Sequence, residues 1–287
     1  MKPHPFHSLL VPVLMLTSLA PRASESRHFD SNGVRLHYRV AGTGHPVVLL
    51  HGITRSIEDD WIASRVFPEL ATRFRTIALD QRGHGQSDRP PGVQHYGHPM
   101  VEDVRRLLDV LSIEKAHLVG YSMGARIALR FMATHPGRVR AGVLIASGGV
   151  RHPSDTEPFL ALADALDRGE GFRAFLRAIA PPGPGSLSDA QIAAIDRQIL
   201  SRNDPAIVAA VARGFPDWHV PPDALAILRP PVLALVGHRD PVQPAVAQLA
   251  HALPSARLHI VPDSDHVSVL SHPELLDALT GFLEATP

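Results

Sequence analysis

The chain has 287 residues, no cysteine, and 28 basic against 28 acidic side chains, so its formal charge is zero. That balance gives no sign of a nucleic-acid or polyanion partner, and the missing cysteine excludes disulfides, thiolate metal sites and a cysteine nucleophile. A hydrophobic share of 45% supplies a sizeable core, and the 18 histidines are scattered without H-E-x-x-H or other ligand spacing, so no metal and no other cofactor is expected.

Lys2 precedes an apolar run over 9–20, followed by the small residues Ala20, Ala23 and Ser24. This reads as a secretory signal peptide over 1–23, which implies export to the periplasm or beyond. The run is too short to span a bilayer comfortably as a mature helix. The cut site and the oligomeric state stay open.

Two strands, 27–30 and 34–40, flank Asn32–Gly33, a strong hairpin-turn signal. The continuous apolar run 47–50 suits a strand buried on both faces, and it stops at His51-Gly52-Ile53. One helix carrying Trp61, Ile62, Val66, Phe67 and Leu70 follows, then a strand over 75–79 ending at Asp80. Val101, Val104, Leu107, Leu108 and Leu111 form one stripe on a helix over 99–111. A strand over 116–119 leads to Gly120-Tyr121-Ser122-Met123-Gly124 and a further helix, and 139–146 is the next strand. Alternating strands and helices predict a doubly wound, mostly parallel α/β sheet.

The alternation stops after Gly149. Residues 150–222 carry only helical patterns, broken by Pro181-Pro182-Gly183-Pro184-Gly185. They predict a helical cap inserted between core segments 24–149 and 223–287, the plainer alternative being extra crossover helices. A strand over 231–236 ends at Gly237-His238-Arg239-Asp240, and a helix, a strand over 257–261, His266 and a last helix over 273–283 complete the chain.

In an open α/β sheet, ligands bind beyond the carboxyl ends of the strands. His51-Gly52-Ile53, Asp80, Ser122, Asp240 and His266 all fall at such ends. Gly120-Tyr121-Ser122-Met123-Gly124, between a strand and a helix, resembles the nucleophile elbow of the α/β-hydrolase family. Asp80-Gln81-Arg82-Gly83-His84-Gly85-Gln86-Ser87-Asp88 looks like that family's D-x-R-G-x-G-x-S-D loop, and 237–240 like its acid turn. Ala125 departs from the further glycine of many relatives.

Ser122 is then the expected nucleophile, His266 the base that takes its proton, and Asp240 the acid that orients the imidazole. The resemblance implies an oxyanion hole made by the backbone N–H groups of Ile53 and Met123. His259 and His272 compete with His266 but fit the order less well, Asp263 and Asp265 sit too near it in the chain, and Asp80, Asp88 and His51 read as structural. Arg55 can attract a substrate carboxylate or, more plainly, be solvated.

The resemblance implies a serine hydrolase of carboxylic esters, and the apolar residues of the expected cap suit small to medium, largely apolar acyl groups. Carbon–carbon bond hydrolysis, perhydrolysis and acyl transfer use the same triad, and a non-catalytic ligand-binding protein on this scaffold is the alternative of a different class. The cap aromatics Phe159, Phe172, Phe175, Phe215 and Trp218 either pack among themselves or roof the pocket. The first prediction concerns export: protein recovered from the periplasm of a Gram-negative host should have a mass lacking roughly two dozen N-terminal residues. A mass that retains Met1 or Lys2 would refute cleavage.

Overall fold

A computed structural model describes residues 24–180 and 186–286; the expected signal peptide and the 181–185 breaker lie outside these. Its centre is one eight-stranded sheet in the order β1-β2-β4-β3-β5-β6-β7-β8. The strands are β1 (Glu25–Asp30), β2 (Arg35–Ala41), β3 (Pro46–Leu50), β4 (Arg75–Leu79), β5 (Ala116–Tyr121), β6 (Val139–Ile145), β7 (Val232–Gly237) and β8 (Ala256–Val261). From β4 to β8 every pairing is parallel, while β2 runs antiparallel to both β1 and β4. Asn32 and Gly33 take φ of 58° and 81° at the hairpin tip, the left-handed pair that a tight right-twisting hairpin needs.

The central strands are apolar on both faces because both are covered. Val48 and Leu50 of β3 join the core on one side of the sheet, and Val47 and Leu49 join the core on the other. The chain leaves β3 toward β4 and then returns to lay β5 on the opposite side of β3. That reversal is a topological switch point, and it brings the carboxyl ends of β3 and β5 side by side.

The helices are α1 (Val66–Leu70), α2 (His98–Val110), α3 (Met123–Thr134), α4 (Glu157–Asp167), α5 (Arg173–Ile179), α6 (Asp189–Leu200), α7 (Pro205–Arg213), α8 (Pro222–Ala226), α9 (Gln243–Ala252) and α10 (Pro273–Glu284). None among the described residues is long and apolar enough to cross a membrane. The single helix expected around Trp61 is instead a π-helical turn, Ile57–Ile62, and the short α1, separated by Arg65 at φ 68°. The reason is polar: the Ile57 N–H is drawn to Asp80 and the Asp60 carboxylate to Gly52, so this turn follows the loop below it. The short α8 carried no sequence signal of its own.

Between β6 and β7 the described residues are helices and turns without a strand. Phe159 stacks on Phe215 with ring centroids 3.8 Å apart, Phe215 leans on Trp218, and Trp218 Nε1 donates to the Gly97 carbonyl at 2.9 Å. The half-buried Arg126 guanidinium lies over the Phe159 ring at 4.8 Å. These aromatics pack this segment onto the sheet's helices.

Two fully buried histidines lack partners for part of their rings. Among the described residues, His84 Nε2 and both His117 nitrogens meet no hydrogen-bonding group. Burial, with the neighbouring His51 adding to it, holds His84 down to about 3, and burial with Arg140 holds His117 down to about 4. Below the ordinary value of 6.5 the unfolded chain therefore takes up protons that the folded chain refuses, and stability falls as pH falls. The urea midpoint should accordingly drop steadily from about pH 6.5 towards pH 4. A midpoint flat across that range would show that neither ring is held neutral by the fold.

Candidate active site

Ser122 ends β5 and begins α3 with φ 51° and ψ −109°, a conformation that side-chain-bearing residues rarely adopt. The flanking glycines explain how the turn closes. A Cβ on Gly124 would collide with the Leu50 carbonyl oxygen of β3, and one on Gly120 would collide with the Gly124 backbone. Ser122 N–H donates to the Ile145 carbonyl at 2.9 Å, which ties the turn to β6. The hydroxyl is left half-exposed at the rim of the sheet.

His266 lies on the loop after β8, and Asp240 on the turn after β7. Ser122 Oγ stands 3.2 Å from His266 Nε2, and His266 Nδ1 stands 2.9 Å from Asp240 Oδ2. Asp240 is buried, and its other oxygen accepts the Val242 N–H at 3.0 Å, so the carboxylate is held from both sides. With Nδ1–H donated to the carboxylate, Nε2 is the free base facing the hydroxyl. Such a relay can take a proton from Ser122 and return it to a leaving group. Tyr121, inside the elbow, donates its hydroxyl to the His266 carbonyl at 2.7 Å. Sequence reasoning missed this contact because nothing in the local pattern of the elbow tells which distant group a tyrosine at 121 reaches.

The Gly52 backbone is fixed from three directions. Gln81 N–H donates to His51 Nε2 at 3.0 Å, so His51 carries its proton on Nδ1 and donates it to the Gly52 carbonyl at 2.8 Å. Arg55 N–H donates to the same carbonyl at 3.3 Å, and Gly52 N–H donates to Asp60 Oδ2 at 2.9 Å. In a trans peptide the N–H points opposite to the C=O, so Ile53 N–H points away from those donors. It meets no acceptor among the described residues. Met123 is the first residue of α3, so its N–H has no partner within the helix. These two groups are available to a third party, as an oxyanion hole requires. Asp60 had no sequence signal, because an acid before Trp61 looks like an ordinary helix-surface residue.

The remaining candidates have structural partners. Asp80 accepts His37 Nδ1 at 2.7 Å, Gln86 N–H at 3.0 Å and Ile57 N–H at 2.8 Å. Burial pushes this carboxyl up, but the His37 bond, the nearby His51 and the two N–H donors outweigh it and hold it below the usual range. Asp88 accepts Arg35 N–H at 2.9 Å, His259 pairs with Glu274 at 2.9 Å, and His272 caps α10. Asp265 caps the turn through Val267 and Ser268, and Asp263 lends its carbonyl to Arg239. No three His, Asp or Glu side chains among the described residues are placed to hold a metal ion.

Ser122 and His266 open into a chamber of about 570 Å³. Phe172, Phe175, Leu176 and Ile179 of the α5 region and Ile195 and Ile199 of α6 line it from the helical segment. Ile53, Arg55, Asp59 and Asp60 line it from the core. Arg55 is part of this wall, half-buried, with Nε donating to Asp60 Oδ1 at 2.8 Å.

The family model described as "alpha/beta hydrolase fold" matches residues 45–213. The chain is 30% identical over 274 residues to the 2-(acetamidomethylene)succinate hydrolase of Mesorhizobium japonicum, covering 91% of this chain and 95% of that one. Among solved structures it resembles a thermophilic esterase from Thermogutta terrifontis at 26% identity and TM-score 0.74, covering 91% of this chain and 99% of that chain. It also resembles the 2-hydroxy-6-oxo-6-phenylhexa-2,4-dienoate hydrolase of Rhodococcus sp. strain RHA1 at 25% identity and TM-score 0.70, covering 92% and 98%.

The Asp240 contacts lead to a specific expectation. Asp240→Asn keeps the Val242 cap on Oδ1 but sets an N–H donor against His266 Nδ1, which selects the wrong tautomer. Turnover should fall by about a thousandfold or more with the unfolding midpoint little changed. Undiminished turnover would place the orienting acid elsewhere.

Proposed function

The chain belongs to the α/β-hydrolase family, and from that premise we propose that Ser122, His266 and Asp240 cleave small compounds through an acyl-serine intermediate. The protein is a hydrolase, and the observation that carries the finer reading is the relay from Ser122 Oγ to His266 to Asp240 at the mouth of a largely apolar chamber. In this route Ser122 Oγ attacks a carbonyl carbon while His266 Nε2 takes its proton. The Ile53 and Met123 N–H groups hold the oxyanion, each worth about 3–4 kcal/mol at comparable sites. His266 then protonates the leaving group, and water releases the acid by the same steps in reverse. Residues 150–222 act as a cap whose α5 and α6 side chains receive the acyl group.

The relatives bear on which bond breaks. A 2-hydroxy-6-oxo-6-phenylhexa-2,4-dienoate contains neither ester nor amide, so its hydrolysis cuts a carbon–carbon bond. A 2-(acetamidomethylene)succinate offers a carbon–nitrogen bond. These names favour carbon–carbon or carbon–nitrogen cleavage over the ester hydrolysis expected first from the sequence. Ester hydrolysis is the second reading, favoured by the esterase neighbour and by a chamber wall that suits a neutral acyl chain. All of these readings leave an apolar acyl group on Ser122.

The test pairs a ring-fission-type 1,5-diketone with graded p-nitrophenyl esters from acetate to octanoate. Ser122→Ala should abolish turnover of whichever class is cleaved while the circular dichroism stays unchanged. Across the esters, kcat/KM should rise by at most about fourfold per methylene until the chamber is full, since a buried methylene is worth about 0.8 kcal/mol. Diketone turnover far above the best ester establishes the carbon–carbon reading, and the converse the ester reading. Residual turnover in Ser122→Ala would end both.

A further inference from the structure

The chamber wall near Ser122 carries charge on its core side. Among the described lining residues, Arg55 and Arg202 are the two cations, and Asp59, Asp60 and Asp265 are the three acids.

Both cations are already matched. Arg55 gives Nε to the buried Asp60 carboxylate at 2.8 Å and Nη2 to the Asp59 carbonyl at 3.1 Å. Asp60 is itself engaged by the Gly52 N–H. Arg202, on the turn after α6, reaches from the helical segment to Asp59 Oδ1 at 3.4 Å. Beside it Asn203 Nδ2 donates to the Thr54 carbonyl at 3.3 Å, so this turn is held against the loop that carries Ile53. Ser56 Oγ donates to the other Asp59 oxygen at 2.7 Å and fixes that carboxylate in place.

The Arg202–Asp59 pair is half-open to water and adds little stability. Its sign still governs what can enter. A carboxylate on a substrate would have to displace Asp59 from Arg202 while facing Asp59, Asp60 and Asp265, and like charges brought together in a partly enclosed site cost affinity. A neutral chain brings no charge against these acids and can pack on the apolar side chains of α5 and α6.

We propose that Asp59 is a specificity-determining residue that keeps the chamber's arginines matched, so that the site takes neutral acyl groups and rejects those ending in a carboxylate. This rests on Ser122 as the nucleophile and holds for either bond class.

The experiment uses two alkyl fluorophosphonates of equal length, one ending in methyl and one in carboxylate. Second-order inactivation rates are measured on the full protein, with the adduct located by mass spectrometry. The wild type should react with the neutral probe at least about tenfold faster, and Asp59→Asn should narrow that gap by about three- to tenfold, less so in high salt. Arg202→Gln, which removes a cation, should not narrow it. A carboxylate probe as fast as the neutral one on the wild type, or a gap unchanged in Asp59→Asn, overturns the proposal. Reaction of neither probe at Ser122 overturns the nucleophile assignment itself, a result that rate ratios alone cannot mimic.

Discussion

No side chain fits between the start of α3 and the end of β3. Gly124 lies against the Leu50 carbonyl so closely that even a methyl group would collide with it. That contact presses the Ser122 turn onto the strand whose continuation is His51-Gly52-Ile53. It is also what makes a strained φ of 51° at Ser122 tolerable, because packing on both sides determines the turn. A conformation costing about 1–3 kcal/mol survives only where its surroundings leave no alternative. Ser122 and Ile53 line one chamber for this reason, although 69 positions separate them in the sequence.

The loops around this contact are shaped by buried carboxylates as well as by apolar packing. Asp80 gathers three donors, Asp60 binds Gly52 and Arg55, and Asp103 receives the Arg82 guanidinium through two bonds together with Ser31 Oγ. A buried charge without partners is costly, so each of these acids enforces a particular backbone path around it. The π-helical turn at Ile57–Ile62 is a direct product of two such acids. It places Asp59 and Arg55 on the chamber wall, and so the same interactions that hold the loop also decide the charge the chamber presents.

The helical segment divides its apolar side chains between two tasks. Phe159, Phe215 and Trp218 are consumed in stacking against one another and over Arg126. Phe172, Phe175, Leu176 and Ile179 face the chamber. Helical periodicity marks both groups alike, since it reports only that a face is apolar and not what it is apolar against.

The sequence by itself determined the strands, the doubly wound order of elements and the elbow. Apolar runs of strand length, Asn32–Gly33 and the small residues around Ser122 are local signals, written within a few positions of one another. It also supplied Ser122, Asp240 and His266 as strand-end residues in the right order, which the fold then brings within hydrogen-bonding reach of one another. Tertiary structure alone decided the break at Arg65 in the helix expected around Trp61, the engagement of Asp60 with Gly52, the Tyr121 tie to His266 and the matching of Arg55 and Arg202. The Tyr121 and Arg202 contacts join groups through the closing of the sheet or the docking of the helical segment, and the Asp60 and Arg55 bonds form because the Ile57–Ile62 turn folds back on the loop before it. Such pairings depend on which surfaces meet in space, and no local periodicity or turn chemistry encodes that.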